Sequence, residues 1–149
     1  QPRSRGLGDV YKRQGLFGAD AQIENALRDV DFGAWKGQAI DQLAPDALAA
    51  WMTDSAAAPH GGESVEQLCT RVGHWIKSLE SHPGHVVAVT HPFVIRAALL
   101  YVMQFPLSKF YLIDVEPLSA TELRFNTVWR LRLETHAECH EHGKIHAPQ

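Results

Sequence analysis

The stretch His85 to Arg96, His-Val-Val-Ala-Val-Thr-His-Pro-Phe-Val-Ile-Arg, constrains this chain more than any other. Val86 to Val89 is an apolar run without alternation, and valine is β-branched. That combination predicts a strand buried on both faces, as in a parallel sheet. Pro92 has no N–H to lose at the first position of a helix and so marks a helix start. Val94, Ile95, Ala98, Leu99 and Val102 then recur at helical spacing, predicting a helix to about Gln104. His91 thus stands where a buried strand hands over to a helix. In open α/β sheets ligands bind at that carboxyl edge, and the unpaired N–H groups of the helix attract anions. A titratable imidazole there fits phosphate chemistry, whereas the plainer reading is a polar residue at a helix cap.

The rest of the chain narrows the choice. Its 149 residues make one domain, large enough for a core. A net charge of −3 and the lack of a basic stripe argue against a nucleic-acid partner, and no run approaches the length of a membrane span. Two cysteines, Cys69 and Cys139, are too few for a disulfide framework, so a cytoplasmic, reduced protein is expected. No G-x-S-x-G elbow points to serine-hydrolase chemistry. Nothing in the chain fixes an oligomeric state.

Residues 1–14 have no hydrophobic period. The string from Ser4 to Gln14 is similar to translated adapter sequence at the ends of some metagenomic gene fragments. They are expected to be a non-native or disordered leader, with the domain running from 15 to 134. Ala21 to Leu27 alternates loosely and predicts a short strand. Arg28 to Gly37 lacks helical period and carries glycines at 33 and 37, which predicts a loop pinned by Phe32 and Trp35. A short turn follows at Ala39–Leu43, and Pro45 opens a helix to about Met52. Ser64-Val65-Glu66-Gln67 fits a capping box. It opens the clearest helix, with an apolar stripe of Val65, Leu68, Cys69, Val72, Ile76 and Leu79. Cys69 lies on that stripe, so a buried structural thiol is expected there. Beyond the central helix, Phe110–Val115, Thr121–Phe125 and Val128–Leu133 read as three strands. The order β, loop, helices, β, α, β, β, β predicts an α/β layered domain, its sheet partly parallel and ending antiparallel. The tail from 135 to 149 is rich in histidine, and Cys139, His140 and His142 have the chemistry to hold a divalent metal. Its low apolar content predicts instead a disordered, solvated tail.

Three segments together carry a resemblance. Leu27-Arg28-Asp29 with Phe32-Gly33-Ala34-Trp35-Lys36-Gly37 resembles the L-R-E-x-x-F-G-x-W-x-G loop of the histidine phosphatase superfamily, the phosphoglycerate-mutase-like group. Pro59-His60-Gly61-Gly62-Glu63-Ser64 with Arg71-Val72 is similar to its P-x-G-G-E-S…R-V segment, and Val89-Thr90-His91 with Val94-Ile95-Arg96 to its V-[ST]-H-x-x-V-I-R segment. The three stand in the family's order across Leu27 to Leu133. The resemblance implies a three-layer α/β/α fold with a mostly parallel central sheet, antiparallel strands at one end and, here, the first strand missing. It implies phosphomonoester hydrolysis through a phosphohistidine on a small phosphorylated substrate, with no cofactor or metal. Hydrolysis is expected over mutase chemistry, because the insertions of the mutases are missing.

By the same resemblance His91 binds the phosphoryl oxygens and Asp29, standing where the family has Glu, protonates the leaving oxygen; Asp31 and Glu63 are the other candidates for that task. Thr90, His60, Gly62, Glu63 and Ser64 are expected to contact substrate. No Arg-His-Gly, the family's nucleophile motif, occurs in the chain. The chain is therefore expected to be the carboxyl-terminal two-thirds of such a phosphatase, impaired by itself. A non-catalytic phosphate-binding or structural remnant is the alternative, and a metal-binding tail module a third.

Overall fold

The computed structural model describes residues 22–133; the expected leader and the His-rich tail lie outside them. Among the described residues three α-helices carry the core. Pro45 at the first position starts α1 (Pro45–Thr53), a position where its missing N–H goes unneeded. The helix α2 (Val65–Leu79) opens on the expected capping box. The Ser64 hydroxyl accepts from Gln67 N–H at 3.1 Å, and the Gln67 side chain accepts from Ser64 N–H at 2.9 Å. The third, α3 (Pro92–Met103), has His91 at its N-cap position without a capping hydrogen bond from the side chain, and ends at Gln104 in the left-handed region.

Packing follows from the apolar stripes. Val65, Leu68, Val72 and Ile76 of α2 meet Val94, Ala97 and Leu100 of α3, all buried. Gly73 lets the helices close up: a Cβ there would stand 2.8 Å from the Tyr101 ring. Trp51, Val30 and Phe110 complete the core. Cys69, expected to be buried, is a partly buried free thiol packed against this core, and desolvation pushes it up to about 12. The antiparallel hairpin of β1 (Glu122–Asn126) and β2 (Val128–Arg132) follows, reversing at Thr127 with φ 67°. It packs β2 against α3, and the Trp129 indole donates to Glu80 at 2.9 Å.

Three expected strands differ. Val86–Val89 is extended but joins no ladder among the described residues, and Val86, Val87 and Val89 are 60, 77 and 50% exposed. An apolar run is a doubly buried strand only when neighbours cover both edges and faces. Here it borders an open groove of about 1190 Å³ lined by Leu27, Ile76, Val94, Leu123 and Trp129. Of the strand expected at Ala21–Leu27, Asn25–Leu27 is a single 3-10 turn, because the Glu24 carboxylate accepts from Ala26 N–H at 2.8 Å and holds the chain bent. The strand expected at Phe110–Val115 begins instead inside a 3-10 helix, Leu107–Leu112, started after Pro106. Leu107 and Phe110 stand one above the other in this helix, and Phe110 is buried. Phe110 and Tyr111 both pack on Phe93, with ring centroids 5.3 and 6.3 Å away. That contact outweighs the strand preference of the single residues. The sole sheet among the described residues is the two-stranded antiparallel hairpin.

Candidate functional site

The end of the extended Val86–Val89 segment and the start of α3 bring Thr90 and His91 against the loop that begins at Leu27. Thr90 Oγ1 donates to the Leu27 carbonyl at 2.7 Å, tying the two segments together. Two residues along that loop, Asp29 Oδ2 lies 3.6 Å from His91 Nδ1. Both side chains are about half exposed, so they share one open surface and neither is locked to the other by a hydrogen bond. The first N–H groups of α3 point at the same end, where helix geometry leaves them without intrahelical partners. Arg28, next to Asp29 in the chain, has its guanidinium half exposed, 3.5 Å from Glu63 and 3.5 Å from the Asp29 carbonyl to which it donates.

Behind this surface, the loop 29–37 and the loop 59–64 are packed back to back. Glu63 N–H donates to the Asp31 carbonyl at 2.8 Å, and Ala34 N–H to the His60 carbonyl at 2.9 Å. At its two glycines the seam leaves no room for a side chain. A Cβ on Gly62 would stand 2.0 Å from the Asp31 carbonyl oxygen, and one on Gly33 2.2 Å from that of His60. Arg71, reaching back from the second turn of α2, closes the seam from below. It makes a two-pronged pair with Glu63, 2.8 Å on each side, and donates to the carbonyls of Ala26 at 2.7 Å and Arg28 at 3.1 Å. One guanidinium thus fixes the backbone on both sides of Leu27, immediately before Asp29.

The three carboxylates expected as acid candidates separate on this geometry. Burial pushes the Glu63 carboxyl up, but the Arg71 hydrogen bonds, its charge and that of Arg28 outweigh it, so Glu63 is held below the ordinary carboxylate range. Asp31 is held low as well, by Lys36 Nζ at 2.6 Å and then by Gly33 N–H at 3.0 Å. Both favour the ionised form and are poor proton donors at neutral pH. Asp29 is the carboxylate that faces His91.

The residues expected to touch substrate have partners within the protein. Thr90 gives its hydroxyl to Leu27. Gly62 N–H donates to His60 Nδ1 at 3.0 Å. Glu63 is paired to Arg71, Ser64 caps α2, and His60 is 4% exposed among Phe32, Trp35 and Trp51. For Gly62, Glu63 and Ser64 the reason is shared: the 59–64 loop is packed against its neighbours and its polar groups find partners within the protein. Arg96, the last residue of its motif, likewise turns inward, donating to the Ile113 carbonyl at 2.6 Å and lying over the Phe93 and Phe110 rings. The sequence reading left out the roles of Arg71 and Arg28. A signal existed for Arg71: it follows Glu63 by eight residues on a helix whose side chains lean toward the N-terminus. Among the described residues no group of three or more His, Cys, Asp or Glu is arranged to hold a metal ion, and no helix is long and apolar enough to cross a membrane.

Comparison with known proteins agrees with the motif order. The chain is 32% identical over 103 residues to a glucosyl-3-phosphoglycerate phosphatase of Mycolicibacterium vanbaalenii, over 60% of this chain and 45% of that protein. A glucosyl-3-phosphoglycerate phosphatase of Mycobacterium tuberculosis is 38% identical over 63 residues, 40% of this chain and 27% of that one. The chain therefore spans less than half the length of these curated relatives. Among solved structures, the mycobacterial glucosyl-3-phosphoglycerate phosphatase in complex with inorganic phosphate superposes with a TM-score of 0.70 at 27% identity, over 83% of this chain and 69% of that one. The native structure of the mycobacterial enzyme gives 0.71 at 26% identity, over 86% and 73%. These superpositions bear out the expected phosphoglycerate-mutase-like α/β fold. The model of the histidine phosphatase superfamily (branch 1) matches residues 11–134, and with three motifs in order and the fold in common the chain belongs to that superfamily.

Proposed function

We propose that these residues form the acid and phosphate-holding side of a phosphomonoesterase. The observation that carries the reading is the pairing of His91 and Asp29 at 3.6 Å on an open surface, where an extended segment meets a helix N-terminus. A transferring phosphoryl group spreads negative charge over its equatorial oxygens and needs positioned positive charge and N–H donors more than covalent help. His91, the first N–H groups of α3 and the Arg28 guanidinium supply these. The leaving alkoxide needs a proton, and Asp29 is the carboxylic acid placed to give it, since Asp31 and Glu63 are held ionised by their own partners. Thr90, His60, Gly62, Glu63 and Ser64 act as positioning residues for the two loops.

In the whole protein the attacking group is a histidine that becomes phosphorylated, and these 149 residues hold no Arg-His-Gly to provide it. The substrate is a small phosphorylated molecule; the relatives' names support a phosphorylated sugar or sugar acid. Cysteine usage supports a cytoplasmic location. The whole protein should hydrolyse an aryl phosphate without added divalent ion, and His91→Ala should abolish the activity. Hydrolysis that survives the substitution, or that depends on a metal, would overturn the proposal. The missing Arg-His-Gly favours a second reading for this stretch taken alone, that of a phosphate-binding unit without catalysis. Phosphoenzyme trapping on the 149-residue chain tests that second reading: no acid-labile phosphohistidine is expected from it, and finding one would overturn it.

A further inference from the structure

His60 sits at the middle of the seam and is not used by the chemistry above. Its ring is 4% exposed. Trp51, Trp35 and Phe32 surround it, with centroids at 4.6, 4.9 and 6.1 Å, each ring turned about 65° to the imidazole. Nδ1 accepts the Gly62 N–H at 3.0 Å, while Nε2 is buried with no hydrogen-bond partner. The neutral ring has one donor and one acceptor nitrogen, so accepting at Nδ1 places the proton on Nε2. The backbone of the same residue accepts from Ala34 N–H at 2.9 Å. His60 therefore holds the 59–64 loop by its ring and the 29–37 loop by its carbonyl.

We propose that neutral His60 is a latch that sets the register of the Asp29 loop against the Gly61–Ser64 loop, and that protonation of its ring opens the latch. Imidazolium carries a proton on both nitrogens, so Nδ1 can no longer accept from Gly62 and its new N–H faces that N–H. A charge formed there would be buried among aromatic side chains. The charged groups facing His60 are few. From the 29–37 loop comes Asp31, whose carboxylate is itself paired to Lys36; α1 presents Trp51, which is uncharged; on its own loop Glu63 is tied to Arg71. Burial disfavours the charged ring, Asp31 pulls the other way, and burial prevails, so His60 titrates below the ordinary histidine value. Because Glu63 N–H bonds Asp31, opening the seam also frees the segment that carries Asp29.

This latch rests on the phosphatase reading for its purpose but is tested without measuring catalysis. Long-range 1H–15N correlation on the unmodified chain at pH 7.5 should show His60 neutral with its proton on Nε2. A proton on Nδ1, or a charged ring, overturns the proposal. Amide exchange then reads the latch itself. The protection factor of Gly62 N–H, which removes the intrinsic pH dependence, should fall at least tenfold as His60 titrates at a pH below 6.5. In His60→Asn, whose side-chain oxygen can replace Nδ1 as acceptor, protection should persist through that range; in His60→Phe it should be lost already at pH 7.5. Protection in the unmodified chain that does not change with pH overturns the latch, whereas a failure of phosphatase activity with this pattern intact would overturn only the functional reading.

Discussion

Replacing Gly62 with Ala tests the seam on which the site is built. The added Cβ would meet the Asp31 carbonyl oxygen at 2.0 Å, Gly33 N at 2.7 Å and the Asp31 carbonyl carbon at 2.8 Å. All three are backbone atoms, so no side chain can rotate away. Relief requires the loops to part by more than an ångström. That movement breaks the Glu63 N–H to Asp31 and Ala34 N–H to His60 hydrogen bonds, each worth about 1 kcal/mol net and more if a buried group is left unpaired. It also disturbs the Glu63–Arg71 pair. The summed loss is about 2–4 kcal/mol. For a domain of this size that lowers the melting temperature by roughly 6–15 °C. The neighbouring Gly61 is the internal control. It has φ 71° and nothing within 4 Å of an added Cβ, so Gly61→Ala should lose only about 1 kcal/mol from its left-handed backbone. Thermal melts by circular dichroism read both variants. A Gly62→Ala protein that melts within 2 °C of the parent, or at or above Gly61→Ala, would refute the packed seam.

Other outcomes follow from the same geometry. Arg71→Met should destabilise the protein by about 3 kcal/mol in urea unfolding, because it removes the two-pronged partner of buried Glu63 and leaves only the half-exposed Arg28 beside it, and the double variant with Glu63→Gln should recover part of that loss. Glu63 is held below its ordinary value, so its contribution to stability is fully present above the unfolded-state value and is lost as pH falls through the lower folded-state value. Denaturation midpoints measured downward from pH 5 should therefore decline in the parent more than in Glu63→Gln. Thr127→Gly should stabilise the hairpin by roughly 1 kcal/mol, since a β-branched residue at φ 67° carries a penalty that glycine does not, and the melting temperature reads it. Val87 is 77% exposed on an extended run, so Val87→Lys should reduce concentration-dependent light scattering without lowering the melting temperature.

Where the sequence carried a local signal, the structure agrees with it. The Ser64–Gln67 box, Pro45 and Pro92 each act through backbone groups within one turn, so residues close in the chain decide the outcome. The same holds for His91 at the head of α3 and for Cys69 on the stripe of α2. Signals that depend on distant partners did not translate. Val86–Val89 needs neighbours on both edges to become a strand, and Phe110–Val115 was settled by Phe93, seventeen residues earlier. At the site, the motif residues were legible as a group but their orientations were not. A Gly-Gly-Glu-Ser string does not reveal that Glu63 turns toward Arg71, or that Gly62 gives its N–H to a histidine ring. Those outcomes depend on two loops meeting closely enough to satisfy each other.

The claim at the centre is that His91 and the start of α3 hold a phosphoryl group beside Asp29. Titration of the 149-residue chain with inorganic phosphate, followed by 1H–15N correlation spectra, tests it directly. Saturable shifts confined to the His91 ring and the amides of Asp29, His91, Phe93 and Val94, and abolished in His91→Ala, are the predicted result. Saturable shifts centred elsewhere, or the same shifts undiminished in His91→Ala, would contradict it.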